Sequence, residues 1–229
     1  MSALTGRTMA TSPRVATPAD APLVTRILVD AFHDDPMWAA WAFPDPRTRR
    51  EHRETVFRML VEGALRYPCV WLSSDNAATA VWIPPGGSEL SPAQEQVIDS
   101  VLHESLGARA TAVLHAFEMF ARARPTHPHY YLTLLGTDPM HRGRYAGQRM
   151  LSANLEHVDA ARAAAYLEAR DELVPLYERF GFRLLTRFAL SDGPTVNRMW
   201  REPGTTARHH RARRRGPMTS DQNVPEHRS

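Results

Sequence analysis

The sequence predicts a mixed α/β domain built on one sheet, and two observations carry that expectation. Apolar residues at helical spacing alternate with short strand-like runs in the order ααββαα-β-loop-α-β-α-ββ, the pattern of helices packed on a sheet. The 229 residues, 43% of them hydrophobic, suffice for one domain over about 14–203, with 1–13 and 204–229 read as disordered ends.

The elements follow in order. Thr17-Pro18-Ala19-Asp20 reads as a helix start, with Thr as cap, Pro at the first helical position and an acid in the first turn. Leu23, Val24, Ile27, Leu28, Ala31 and Phe32 then fall on one helical face. His33 to Asp45 reads as an irregular, aromatic-rich segment before a second helix over about 47–66. Cys69–Leu72 and Ala78–Ile83 read as a hairpin around Ser73-Ser74-Asp75-Asn76, closed by Pro84-Pro85-Gly86-Gly87. Helices are expected at about 91–105, capped by Ser91, and at 108–123. A strand over His129–Thr137, a glycine-containing loop and a helix to about Ala163 come next. Ala164–Ala169 is strand-like, 172–180 a short helix, and 182–190 with 195–200 a final strand pair.

Composition bounds the function. No run approaches the ~18 consecutive apolar residues of a membrane span, and the opening residues lack the apolar core of a signal peptide. Cys69 is the single cysteine, which leaves no internal disulfide or multi-cysteine metal site and reads as buried and inert. A soluble cytoplasmic protein is expected. The formal charge is +3, yet residues 205–229 alone carry six arginines against Asp221 and Glu226. The basic character therefore belongs to the tail, and the folded part is not expected to bind nucleic acid or membrane.

The loop Asp138-Pro139-Met140-His141-Arg142-Gly143-Arg144-Tyr145-Ala146-Gly147-Gln148 joins a strand to a helix N-terminus. Such a junction offers unpaired N–H groups and the positive end of a dipole, and arginines can fork onto phosphate oxygens. It contains no Gly-Lys-Ser/Thr and lacks the three-glycine dinucleotide pattern. Local chemistry leaves an anion site and a plain basic turn both open.

The segment Arg142-Gly143-Arg144-Tyr145-Ala146-Gly147 after Asp138-Pro139 resembles the acyl-CoA loop of the GNAT acyltransferases. Val174-Pro175-Leu176-Tyr177-Glu178-Arg179-Phe180-Gly181-Phe182, thirty residues on, is similar to that family's second landmark. The resemblance spans about Arg14–Pro203, and its wording is most similar to the puromycin N-acetyltransferase branch. Two departures stand out. Tyr145 occupies the place of the usual middle glycine, which requires a negative φ and a ring turned from the pyrophosphate. Leu173 stands where the family often has Asn.

The resemblance implies a mixed, mostly antiparallel, twisted sheet of six to seven strands flanked by helices and splayed between 129–137 and 164–169. It implies acetyl-CoA as acyl donor, held by Leu135, Gly136 and Thr137 on the strand and by Arg142, Gly143, Arg144, Tyr145, Ala146, Gly147 and Gln148. It implies direct transfer to an amine, with Tyr177 protonating the departing thiolate. For the general base, Glu168, His129 and Tyr131 are candidates. Phe32, Asp34, Asp35, Trp38 and Trp41 are candidates for the acceptor side, an acid among aromatics suiting a cationic amine, and Tyr131 also faces that side. No metal is expected, since His127-Pro128-His129 lacks further ligands. A small amine acceptor and a homodimer are expected. The alternatives are a lapsed acyl-CoA-binding module and an acetyltransferase for protein N-termini or lysines.

Overall fold

Period-two burial along the strands sorts apolar side chains onto two faces of one sheet, and each face is covered by helices. The computed structural model describes residues 12–204. Except for Ser12, Pro13 and Gly204, the segments expected to be disordered, with the arginine-rich tail, lie outside the described residues.

In chain order the elements are β1 (Arg14–Val15), α1 (Ala21–Ala31), α2 (Arg49–Ala64), β2 (Val70–Leu72), β3 (Ala78–Ile83), α3 (Pro92–Leu106) and α4 (Ala110–Ala123). They continue with β4 (His129–Thr137), α5 (Ala146–Ala160), β5 (Ala164–Ala169), α6 (Val174–Arg179), β6 (Arg183–Ala189) and β7 (Thr195–Arg201). The strands form one seven-stranded sheet in the order β1-β2-β3-β4-β5-β7-β6. Only β4 and β5 run parallel; the other neighbours are antiparallel.

Two departures from the sequence expectation concern the early chain. Arg14–Val15 is a short edge strand paired to β2, too brief to show an alternation. Pro36–Trp41, expected to be irregular, forms a turn of π-helix. Asp35 starts it by accepting from the N–H groups of Met37 (3.0 Å) and Trp38 (3.1 Å), as a helix cap does.

One face of the sheet packs Val70, Val81, Tyr131 and Tyr166 against α1, α2, α3 and α4. The other packs Ala80, Trp82, Leu132 and Leu167 against α5 and α6. Gly136 lets α1 approach β4: a Cβ there would stand 3.0 Å from Leu28 Cδ2 and 3.1 Å from Ala31 Cβ. Trp82 Nε1 donates to Asn154 Oδ1 at 3.0 Å and ties α5 to the central strand. The guanidinium of Arg201, fully buried, clasps Asp159 at 2.8 and 2.7 Å.

The sheet opens in its middle. Parallel pairing of β4 with β5 runs from His129↔Ala164 to Leu132↔Leu167 and stops. At the same height the β3–β4 register jumps from Trp82↔Leu132 to Val81↔Leu134, which leaves Thr133 as the extra residue of a β-bulge. A bulge bends its strand and raises local twist, so β4 leaves β5 here while still paired to β3 through Thr137.

Candidate functional site

The divergence of β4 from β5 opens a cavity of about 590 Å³. Its floor is β4 from Tyr131 to Leu135, with Thr137 at one end and Glu168, Ala169 and Arg170 at the end of β5. Phe32 and Trp38 close one side, Phe117 and Phe120 of α4 another, and Tyr177 of α6 reaches in from the opposite face of the sheet.

Glu168 is the chemical centre of this space. Alternation along β5 turns it to the face of Tyr166, and beyond Leu167 no β4 residue pairs alongside it. Its Oε1 is shut off from solvent without a hydrogen-bond partner. Burial pushes its carboxyl up to about 7, against the opposing pull of the Tyr166 and Tyr131 hydroxyls and the Arg124 charge. Tyr177 is buried with its ring edge-on to Phe182. Burial raises its hydroxyl to about 12, moderated by Arg170, so it holds its proton at neutral pH.

Two ion pairs line the same cavity. Arg124, at the end of α4, lies 4.1 Å over the Tyr131 ring and binds both carboxylate oxygens of Glu89. Arg170 Nε stands 3.2 Å from Asp35 Oδ2. Sequence reading missed Glu89, Arg124 and Arg170, which come together only through the fold and belong to no local motif.

The loop before α5 has the geometry of an anion site. Tyr145, its N-cap, offers no capping side chain, so the first-turn N–H groups are left without a side-chain acceptor. A Cβ on Gly147 would lie 2.7 Å from Thr137 Oγ1, so glycine lets the helix seat on the end of β4 without displacing that side chain. Gly143 has φ +78° and Tyr145 φ +57°, with the tyrosine 69% exposed. This corrects the expectation of a negative φ at Tyr145: the turn from strand to helix is made through two left-handed residues, one of which is not glycine. Arg142 lines the cavity and donates to the Ala31 carbonyl at 3.1 Å. Gly136, Gly143, Arg144, Tyr145, Ala146, Gly147 and Gln148 are not among the residues lining it; the last three begin α5, where Gly147 abuts Thr137.

Of the other expected site residues, Phe32, Asp34, Asp35, Trp38, Tyr131, Leu135 and Thr137 line the cavity together with Glu168 and Tyr177, and Leu173, at the place of the family's Asn, lines it as well. His129 is not among the lining residues. Its ring packs on Tyr166 and Trp200, and its Nδ1 lies 2.7 Å from the His127 carbonyl. Trp41 is likewise spent elsewhere, donating to the Ser191 carbonyl at 3.1 Å beneath Arg109. Asp35 is already engaged by its cap and by Arg170, which removes it as a free acid for a cation.

Among the described residues no group of three or more His, Cys, Asp or Glu could hold a metal ion, and no helix is long and apolar enough to cross a membrane. No protein-family model matches the chain. A solved structure from Corynebacterium glutamicum, described as histone acetyltransferase HPA2 and related acetyltransferase, is similar with TM-score 0.63 and 25% identity, over 86% of this chain and 98% of that one. Drosophila melanogaster polyamine N-acetyltransferase is similar at TM-score 0.57 and 17% identity, over 83% and 98% of the two chains. A mosquito arylalkylamine N-acetyltransferase-like protein is similar at TM-score 0.57 and 15% identity, with the same coverage. The chain has the GNAT acetyltransferase fold, and these structural relatives are N-acetyltransferase enzymes. They do not single out the puromycin N-acetyltransferase branch.

Proposed function

We propose that the protein is an acetyl-CoA-dependent N-acetyltransferase, a single domain over about 14–203 that acetylates a small amine by direct attack with both substrates bound. The observation that carries this reading is the meeting, in one cavity, of the Glu168 carboxylate, whose Oε1 has no hydrogen-bond partner, the Tyr177 hydroxyl and the unpaired edge of β4. The uncapped α5 N-terminus and the Gly147–Thr137 approach suit the donor's pyrophosphate. The likeness in sequence wording to the puromycin branch makes an aminonucleoside one natural acceptor.

Each residue has a step in this scheme. Amines arrive as ammonium, and Glu168 takes the proton once its own carboxyl is ionised, above about pH 7. The freed nitrogen attacks the thioester carbonyl carbon, and the C–N bond forms as the C–S bond breaks. Backbone N–H groups of Leu135 to Thr137 that β3 leaves unpaired can donate to the oxygen as it gains charge. Tyr177 gives its proton to the leaving sulfur and regains one, through solvent, from the acylated nitrogen. Holding both reactants in one cavity supplies much of the remaining acceleration.

The test is the thermal midpoint with acetyl-CoA beside an equal concentration of NAD, then thiol release with a panel of amines. Donor at ~100 times its dissociation constant stabilises by about 2.7 kcal/mol, and Tyr177→Phe should cut turnover without moving the donor's effect on the midpoint. A shift with no thiol release from any amine would leave an acyl-CoA-binding module. No shift at millimolar donor would remove the reading.

A further inference from the structure

The cavity's carboxylates differ in whether they are free to meet a cation. Five line it: Asp34, Asp35, Glu89, Glu95 and Glu168. Glu89 is held on both oxygens by Arg124, with the two side chains about one-fifth exposed. Asp35 is capped onto the Met37 and Trp38 N–H groups and paired with Arg170. Glu95 is exposed, and the Asp34 side chain is 77% exposed beside His33. Glu168 alone among these lies inside the cavity without a cationic partner in contact.

The cavity that holds Glu168 and the Arg124–Glu89 pair is otherwise lined largely by apolar and aromatic side chains, among them Trp38, Leu90, Phe117, Phe120 and the Tyr131 ring under Arg124. The two other carboxylates without an arginine, Asp34 and Glu95, are exposed, where an ion pair gains little over water, so a second ammonium held inside the cavity would meet apolar surface or the Arg124 guanidinium. Burying a charge without a partner is strongly unfavourable.

Resting on the transferase reading above, we propose that the acceptor is a monocationic amine on an apolar or aromatic body, and that Arg124, by neutralising Glu89, excludes dicationic amines. Arg124 thus sets specificity without touching the reacting atoms. Its Nε is buried with no hydrogen-bond partner, as is Thr133 Oγ1 of the same cavity lining.

The test compares 2-phenylethylamine and hexylamine with 1,5-diaminopentane, both by thiol release and by calorimetric binding to the full chain. The wild-type protein should favour the monoamines at least tenfold in kcat/KM and in affinity. Arg124→Met frees Glu89 and should close that gap at least tenfold, and adding Glu89→Gln to it should reopen the gap. Should Arg124→Met fail to fold, Glu89→Gln alone leaves Arg124 as the unpaired charge. It should then shift preference from hexylamine toward 5-aminopentanoate, whose carboxylate stands where the diamine's second ammonium would. A wild-type protein that takes the diamine as well as the monoamines overturns the inference, as does an unchanged ratio in Arg124→Met. If no amine releases thiol while binding keeps the expected order, the transferase reading falls and the charge rule stands.

Discussion

Glu168→Gln should separate stability from activity in opposite directions. In the native protein the Glu168 carboxyl titrates near about 7 instead of its ordinary 4.5, because it is buried. An acid whose folded pKa is raised gives its full stability below the unfolded value and loses it as pH rises through the folded one. Glu168 therefore does not weaken the fold at pH 4.5, weakens it progressively up to about 7, and exerts a constant penalty above. At about 1.4 kcal/mol per pKa unit the gap sets an upper bound of about 3 kcal/mol, which we discount to about 2 because the residue borders an open cavity. For a domain of this size that is about 4–8 °C in thermal midpoint. Glutamine carries no charge, so the variant should melt higher than wild type at pH 8 by about that amount and equal to it at pH 4.5. Removing a general base should also lower amine-dependent thiol release by about 100-fold and abolish the rise in rate through pH 7. Thermal scans from pH 4.5 to 8.5 and a pH–rate profile on both proteins measure this. A variant no more stable at pH 8 than wild type, with its rise through pH 7 intact, would refute the reasoning.

Three further outcomes follow from packing. Gly147→Ala drives a methyl onto Thr137 Oγ1 and should cost about 1–3 kcal/mol with weakened acetyl-CoA binding; the double variant with Thr137→Ala should recover the stability, read by chemical denaturation. Tyr145→Gly removes a left-handed non-glycine worth about 1 kcal/mol of strain but frees the unfolded chain, so stability should change by less than about 1 kcal/mol. The donor's midpoint shift should then be kept or enlarged; its loss would show that the exposed ring contacts the donor. Asp159→Ala leaves the fully buried Arg201 without its carboxylate and should cost about 3–5 kcal/mol while the rate per folded molecule stays the same.

The sequence disclosed the elements that carry their own punctuation. Strands at His129–Thr137 and Ala164–Ala169 were legible to the residue, because a proline-rich stretch, an Asp-Pro step and an alanine-rich helix end bound them. The Ser91 cap was legible for the same reason, and the structure adds its reciprocal partner: Gln94 Oε1 accepts from the Ser91 N–H at 2.8 Å. Interactions that depend on distant partners were not legible. Glu89 lies in a loop and Arg124 at a helix end 35 positions away, and neither has a local pattern that requires the other. The Thr133 bulge involves no glycine or proline, so nothing in the residue string marks it; only the jump in register does. Asp35 reads in the sequence as an acid for a cation, but its carboxylate instead caps the Met37 and Trp38 N–H groups, which only the folded backbone reveals. His129 was a fair choice as base by alternation along its strand, yet alternation alone could not say that Tyr166 and Trp200 would cover its ring.

The position of Glu168 follows from where two strands part. Side chains on β5 alternate strictly, Ala165, Leu167 and Ala169 toward α5 and Ala164 and Tyr166 toward α1–α4. A carboxylate at 164 or 166 would be buried between paired strands and helices, where an unpartnered charge is prohibitive. One residue after the last β4 pair, the neighbouring strand has bent away at the Thr133 bulge, and the same face opens on a cavity. The departure of β4 thus supplies two things together: backbone donors with no strand to receive them, and the one place on this face of β5 where a carboxylate opens on a cavity instead of on packed strands and helices. A one-residue slip in β5 would turn Leu167 or Ala169 into the cavity and carry the acid to the α5 face. The register of β5 against β7, fixed by Ala165↔Arg201 and Ala169↔Asn197, therefore determines the chemistry of the site as much as the identity of residue 168 does.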